Sequence, residues 1–390
     1  MKDTVKKYFR KLDFIIILIM TILICAGLYC SRQAFRLSDE RNMIFIKQLA
    51  GIFLGYILIA AVLFIDYHMI CSLSFIFYII MVFMLVFTLL FGADINNVHR
   101  WITVFEIPFQ PSELTKVALI LFLAFLCNYY RKKMDKSYVL LILTTAAAIP
   151  MILILLEPHL SSCLAILSIF CIMVYTSGIR YKVIGKALAL ILPLLAAVFI
   201  GVLQFNLKIP FIEKYQVERV LFFLSTDEKD DQSGDYQQSQ SIEAIGSGGL
   251  HGKMIASEDE SREYGAIYAK ESDFVFAIIG EEFGFIGSFI IILLYTVLII
   301  RCMIISRGSD YLGSLICMGV SGYLMFQIFI NIGVATKLLP NTGLPLPFIS
   351  YGLTSLISSM LAVGLVLNVG IRQNGKSSVH DNAGIIQFHQ

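Results

Sequence analysis

The 390-residue chain is 58% hydrophobic and only 15% charged, a balance too apolar for a water-soluble domain and one that reads as an integral membrane protein. Its formal net charge of +2 is too small to argue for nucleic acid as a partner, so where the cations sit matters more than their sum. The cysteines fall in or beside apolar segments without metal-ligand spacing, which predicts neither disulfides nor a zinc site.

A basic N-terminus (Lys2, Lys6, Lys7, Arg10, Lys11) precedes the first apolar run. That run is long enough to span and no small-residue cleavage site follows it, so it is expected to stay attached. Stretches of the roughly 17–25 apolar residues that cross a hydrocarbon core occur at 12–30, 44–65, 70–91, 111–129, 138–156, 160–177, 185–205, 274–300, 312–335 and 350–370. The expected fold is all-α: a polytopic membrane protein with ten transmembrane helices forming one domain over residues 1–371. A short polar tail, 372–390, lacks periodicity and is expected to be disordered.

If the basic N-terminus is cytoplasmic, the even-numbered connections are too, and they carry "YYRKKMDK" (129–136), "GIRYK" (178–182) and "RCMIISRG" (301–308). Both termini are therefore expected in the cytoplasm. The connection between the first two spans objects, with Arg32, Arg36 and Arg41 only partly offset by Asp39 and Glu40. One connection is large: residues 206–272, on the expected outer face, where acids outnumber bases. Its Asp/Gln/Ser-rich part, 227–241, has the composition of a solvated or locally disordered loop.

Polar groups gather at the outer ends of several spans. Arg100 and Trp101 precede the fourth, which opens on "FQPSELTK" with Pro111 in its first turn. Glu113 and Lys116 share a helix face and can pair; the alternative is an anchored helix start, with Glu113 favoured by the dipole and Lys116 snorkelling outward. "LLEPHLSS" (155–162) puts Glu157, Pro158 and His159 in a tight outer turn, and "GSGGLHG" (246–252) offers backbone able to approach a ligand closely. "LLPNTGLPLPFISYG" (338–352) is irregular backbone of the kind tolerated at membrane depth only where protein buries it or it lines a wet cavity.

"AKESDFVFAIIGEEFGFIG" places acids at the mouth of the eighth span. Ser272 or Asp273 suits its N-cap. Glu281 and Glu282 lie roughly 12 Å further along the axis at 1.5 Å per residue, too deep for both to face lipid cheaply. At least one is expected to face a polar cavity or to pair with a cation such as Lys116 or Arg219.

Together "RWITVFEIPFQPSELTKVALILFLAF", "QSIEAIGSGGLHGK", "SDFVFAIIGEEFGFIGS" and "NIGVATKLLPNTGLPLPFISYG", in this order on a ten-span chain, resemble the SEDS family of bacterial cell-wall proteins, the RodA/FtsW/SpoVE group. The resemblance runs from about Arg100 to Asn368. It implies a peptidoglycan glycosyltransferase in the bacterial cytoplasmic membrane that polymerises lipid II, the undecaprenyl-pyrophosphate-linked disaccharide peptide, at the outer face. The implied protein partner is a class B penicillin-binding protein, with membrane lipid as surroundings. By position the catalytic aspartate is Asp273, taking the proton of the attacking hydroxyl. Arg100, Lys116 and Arg219 are candidates to neutralise the pyrophosphate, with Glu113 holding Lys116 and Ser350 as a further substrate-binding candidate. A divalent ion (Mg or Mn) near Asp273 is a possible supplement. His159, with Glu281 and Glu282, is a structural or cavity residue, and it stands where the family usually has an aspartate, in a Gln-Pro-Asp-Leu-Gly type turn. The competing readings are a transporter that flips the lipid-linked precursor and a scaffold that recruits a transpeptidase.

Overall fold

The computed structural model describes residues 11–36, 38–39, 41–95, 98–104, 107–157, 159–180, 185, 234–254 and 262–373. The expected seventh span, Arg219 and nearly all of the tail lie outside these residues. The described helices are α1 (Phe14–Ala34), α2 (Arg41–Phe64), α3 (Tyr67–Ser72), α4 (Ser74–Phe91), α5 (Pro111–Tyr129), α6 (Ser137–Leu156), α7 (Leu160–Thr176), α8 (Gly234–Ser247), α9 (Val275–Arg307), α10 (Tyr311–Ala335) and α11 (Leu353–Arg372). Among the described residues eight are long and apolar enough to cross a membrane, and α7, at 17 residues, is a shorter apolar helix. The chain is a multi-pass, helical membrane protein.

Their arrangement follows from which side chains tolerate lipid. α5, α10 and α11 bury most of their surface and form the centre, whereas α1, α2, α4 and α6 turn large apolar side chains such as Phe53, Phe83 and Leu141 outward. α11 packs on α2, α10 on α7 and α9, and α1 on α9. Polar side chains of the central helices are spent on one another. Tyr323 Oη lies 3.3 Å from both Ser358 Oγ and Ser359 Oγ, and Asn368 donates to the carbonyls of Val62 and Ile65. At the opposite end from the polar loops, Asp13 caps α1 and pairs with Arg301 at 2.6 Å, tying α1 to α9.

Three features depart from the expected run of elements. Between α4 and α5 the chain forms a small antiparallel sheet of β1 (Ala93–Ile95), β2 (Val98–Val104) and β3 (Ile107–Phe109), order β1-β2-β3, which carries Arg100. The third expected span is broken at Leu73 into α3 and α4. Residues 234–241, expected as loop or disorder, belong to helix α8. The reason is tertiary: Gln238 donates to Val334 O and Leu339 O and Ser241 to Ala335 O, each at 2.8 Å, so polar side chains of α8 bond carbonyls at the end of α10 and just beyond it.

α9 is two helices joined at a break. Gly284 sits at φ 66°, ψ −166°, and the Gly248–Met254 segment fills the gap. Lys253 N–H and Met254 N–H donate to Glu281 O and Glu282 O, both at 2.9 Å. Phe285 N–H and Ile286 N–H donate to Gly249 O and Leu250 O at 2.9 and 3.2 Å. The backbone groups freed by the break are thus satisfied by another strand of chain. The two backbones touch at Gly252 (φ 77°) and Gly284, where a Cβ on either would collide with the other's main chain. Gly284→Ala is expected to destabilise by at least the roughly 1–3 kcal/mol of a strained backbone conformation, read as a lowered unfolding temperature in detergent. An unchanged temperature would mean that the break relaxes into continuous helix.

Candidate active site

One end of the bundle is organised by the loop between α10 and α11. Asn331 Nδ2 donates both to Leu344 O, at 2.7 Å, and to Asp273 O, at 2.9 Å, pinning the loop to the approach of α9. Ser350 Oγ accepts from Leu346 N–H at 2.7 Å and donates to Ser272 O, while Tyr351 N–H donates to Glu271 O at 2.8 Å. Tyr295 Oη donates to Pro347 O from within the bundle. Ser350, expected to bind substrate, therefore spends its hydroxyl holding the backbone beside Asp273.

The approach itself is a turn in which the N–H groups of Ser272, Asp273 and Phe274 all point at Ala269 O. Phe274 takes the N-cap position of α9 and its side chain supplies no acceptor, so the helix starts one residue later than an Asp273 cap, and two later than a Ser272 cap, would place it. Asp273 is half-buried. Its carboxylate lies against Gly343, at φ 70°, close enough that a Cβ there would meet Oδ2 at 3.0 Å.

On the other side of that loop, Ser161 donates to Thr342 O, which links the start of α7 to the residue beside Gly343. The turn before α7 holds Glu157 and His159, and Arg100 Nε donates to Glu157 O at 3.0 Å. Both turn residues are buried. Burial first, then the charges of Arg100 and Lys116, hold the His159 imidazole well below its usual range, so it is neutral at pH 7. Burial pushes the Glu157 carboxyl up to about 8, with Arg100 pulling the other way.

Glu113 and Lys116 pair as their spacing allows, at 2.7 Å, and both are shut away at 1% and 0% exposure, which rules out the outward-snorkelling alternative. The ammonium also sits 5.4 Å from the Tyr323 ring centroid, a cation–π contact that binds α5 to α10.

Glu281 and Glu282 are fully buried and paired, but with cations other than those expected. Glu281 takes Lys253 Nζ at 2.8 Å and the N–H groups of Glu263 and Tyr264 at 2.9 Å. Glu282 takes Arg262 Nε at 3.0 Å and the hydroxyls of Tyr264 and Tyr29 at 2.9 Å. Lys116 is not their partner because Glu113 already holds it. Burial, then Glu282, pushes the Tyr264 phenol up, keeping it a donor. These two glutamates anchor Lys253, Arg262 and Tyr264 to α9. Sequence reasoning had no signal for Lys253, Arg262 or Asn331, whose partners are remote in the chain.

The structure thus brings Asp273 and Ser350 together, and connects them through Gly343, Thr342 and Ser161 to the turn that Arg100 and His159 share. Among the described residues no three His, Cys, Asp or Glu side chains converge as a metal cage.

Comparison with known proteins agrees with this architecture. The chain is 31% identical to stage V sporulation protein E of Bacillus subtilis over 92% of this chain and 96% of that protein. It is 32% identical to peptidoglycan glycosyltransferase MrdB of Escherichia coli K12 over 75% of this chain and 76% of that one. Among solved structures it is similar to a chain from a study of how a peptidoglycan synthase complex coordinates polymerization and crosslinking: TM-score 0.75, 26% identity, covering 94% of this chain and 99% of that one. The crystal structure of Thermus thermophilus rod shape determining protein RodA matches with TM-score 0.65 and 25% identity over 94% and 98% of the two chains. The model of the FtsW/RodA/SpoVE family, described as cell cycle protein, matches residues 10–375, and the chain belongs to that family.

Proposed function

We propose that this protein is a peptidoglycan glycosyltransferase that polymerises lipid II at the outer face of the cytoplasmic membrane, working beside a class B penicillin-binding protein. The observation that carries the reading is Asp273: a half-buried carboxylate held against Gly343 by a loop that Asn331 and Ser350 fasten to its own backbone. The acceptor sugar hydroxyl attacks the anomeric carbon of the donor. The C–O bond to the diphosphate breaks, the lipid diphosphate leaves with the electron pair, and the hydroxyl proton passes to the Asp273 carboxylate. In this reading Arg100 supplies positive charge to the leaving diphosphate, with Arg219 as a further candidate. Lys116, fully buried and neutralised by Glu113, supports the fold at this end of α5 instead of touching substrate.

The test is polymerisation of lipid II by the purified chain, with and without a class B partner, read as glycan strands on a gel. No strands under either condition would overturn the assignment. The reading also requires that residues 206–272 be extracytoplasmic and both termini cytoplasmic. Ser239 is exposed on α8, so Ser239→Cys in intact cells is expected to react with a membrane-impermeant thiol reagent. Labelling only after the membrane is opened would overturn the topology.

A further inference from the structure

The end of the bundle remote from Asp273 carries a basic cavity that the glycosyltransferase reading does not use. α5 and α7 both run away from the candidate site, and α10 starts where they end. Tyr311 Oη donates to Ser177 O at 2.8 Å, and the Arg131 guanidinium lies 4.5 Å from the Tyr311 ring centroid. The connection from α5 to α6 holds a single 3₁₀ turn, Arg131–Lys133, followed by the buried Met134. With Asn128, Tyr129 and Tyr130, this turn lines an open cavity of about 560 Å³, the size of a small-molecule site.

The charge there is one-sided. Arg131, Lys132, Lys133 and Lys136 are exposed, and none forms a salt bridge among the described residues, although Asp135 shares the connection. Asp310, next to Tyr311 in the chain, is taken by the Tyr67 hydroxyl at 2.7 Å and by His68 Nε2 at 3.1 Å. Tyr129 and Tyr138, 72% and 45% exposed, flank the cations at the level where a bilayer meets water, and Tyr130 joins them at ring-centroid distances of 4.9 and 6.3 Å. From Tyr138 an exposed stripe continues along α6 through Leu141, Thr145, Ile149 and Ile152, at the three- and four-residue intervals of one helix face. The cations therefore stand at the head of a lipid-facing apolar track. A ligand matching both parts has an anionic head and a hydrocarbon chain.

We propose that this cavity binds the phosphate headgroup of an anionic membrane phospholipid, with an acyl chain laid along the exposed stripe of α6. The Tyr311 contact uses the face of the Arg131 guanidinium, which leaves its N–H edge to phosphate oxygens, while Lys132 and Lys133 add point charges. Basic pockets beside membrane helices select anionic headgroups in this way, each cation being worth about fivefold in affinity. Inorganic phosphate offers the same head without the chain. A bound lipid would tie the α5–α6 connection to the start of α10 through Arg131, far from the chemistry at Asp273.

The experiment is native mass spectrometry of the full-length protein in detergent, titrated with dioleoyl phosphatidylglycerol or dioleoyl phosphatidylcholine, with inorganic phosphate as competitor. Wild type is expected to bind the first phosphatidylglycerol roughly tenfold or more tighter than phosphatidylcholine. Arg131→Gln/Lys132→Gln/Lys133→Gln is expected to lose that preference, and Lys11→Gln, which removes an exposed cation outside the cavity, to keep it. Equal affinity for the two lipids overturns the inference, as does a preference that survives the triple variant or is lost as fully in Lys11→Gln. Inorganic phosphate that displaces phosphatidylglycerol at equal concentration overturns the lipid assignment in favour of a free anion. If the triple variant does not fold, Lys132→Gln/Lys133→Gln, which leaves the Tyr311 contact intact, is expected to lower the preference roughly threefold or more, and an unchanged preference there overturns the inference.

Discussion

Asp273→Asn is expected to lower the rate of lipid II polymerisation by about 10²–10⁴-fold, the usual contribution of a positioned general base, while membrane insertion and unfolding temperature stay close to wild type. The amide keeps the shape that packs against Gly343, and the backbone contacts from Asn331 to Asp273 O and from Ser350 to Ser272 O do not involve the side chain. What is lost is the ability to accept a proton. If Asp273 served only to cap α9, asparagine would replace it at little cost and activity would persist; the helix instead begins with Phe274 at the N-cap position. The measurement is the initial rate of strand formation at saturating lipid II, alongside a melt of the same preparation. A mutant with wild-type rate would remove Asp273 from the chemistry and reopen the transporter and scaffold readings. The wild-type rate is also expected to fall on acidification, as the base becomes protonated, and the residual rate of Asp273→Asn to lack that limb.

The second large effect concerns stability. Glu113→Gln or Lys116→Met alone leaves one full charge buried with no counter-ion, in a position with 0–1% exposure, and is expected to cost about 3–5 kcal/mol. The double variant removes both charges and is expected to cost much less than the sum, because the desolvation penalty disappears with the pair. The cation–π contact with Tyr323 adds to the loss in Lys116→Met, so the two single variants need not be equal. Unfolding temperature and membrane expression of all four forms close the cycle. Additive losses would show that the two side chains do not depend on each other.

How much of this was legible in the sequence varied with the range of the interaction. The fifth helix runs Pro111–Tyr129, the limits that apolar length and the N1 proline indicated, because both signals are local. The Glu113–Lys116 pair was readable for the same reason, being one turn apart. The break at Gly284 was not, since its cause is a second segment, Gly248–Met254, that supplies the missing hydrogen bonds. Helix α8 was hidden too: its Gln and Ser residues look like a solvated loop until the open carbonyls of α10 are in place to receive them. Glu281 and Glu282 announced themselves as needing cations, yet nothing local named Lys253 and Arg262. Asp273 was singled out by resemblance, and the Asn331 and Ser350 contacts that hold the backbone there required the folded loop.

The break in α9 separates two mechanical bodies. The portion from Val275 to Phe283 is hydrogen-bonded to the glycine segment and, through Glu281 and Glu282, to Lys253, Arg262 and Tyr264, whereas the portion beyond Gly284 belongs to the lipid-facing bundle. Asp273 precedes the first body. Gly284 is therefore a joint between the lipid-facing length of α9 and the shorter part that leads back to Asp273, which is tied instead to Lys253, Arg262 and Tyr264.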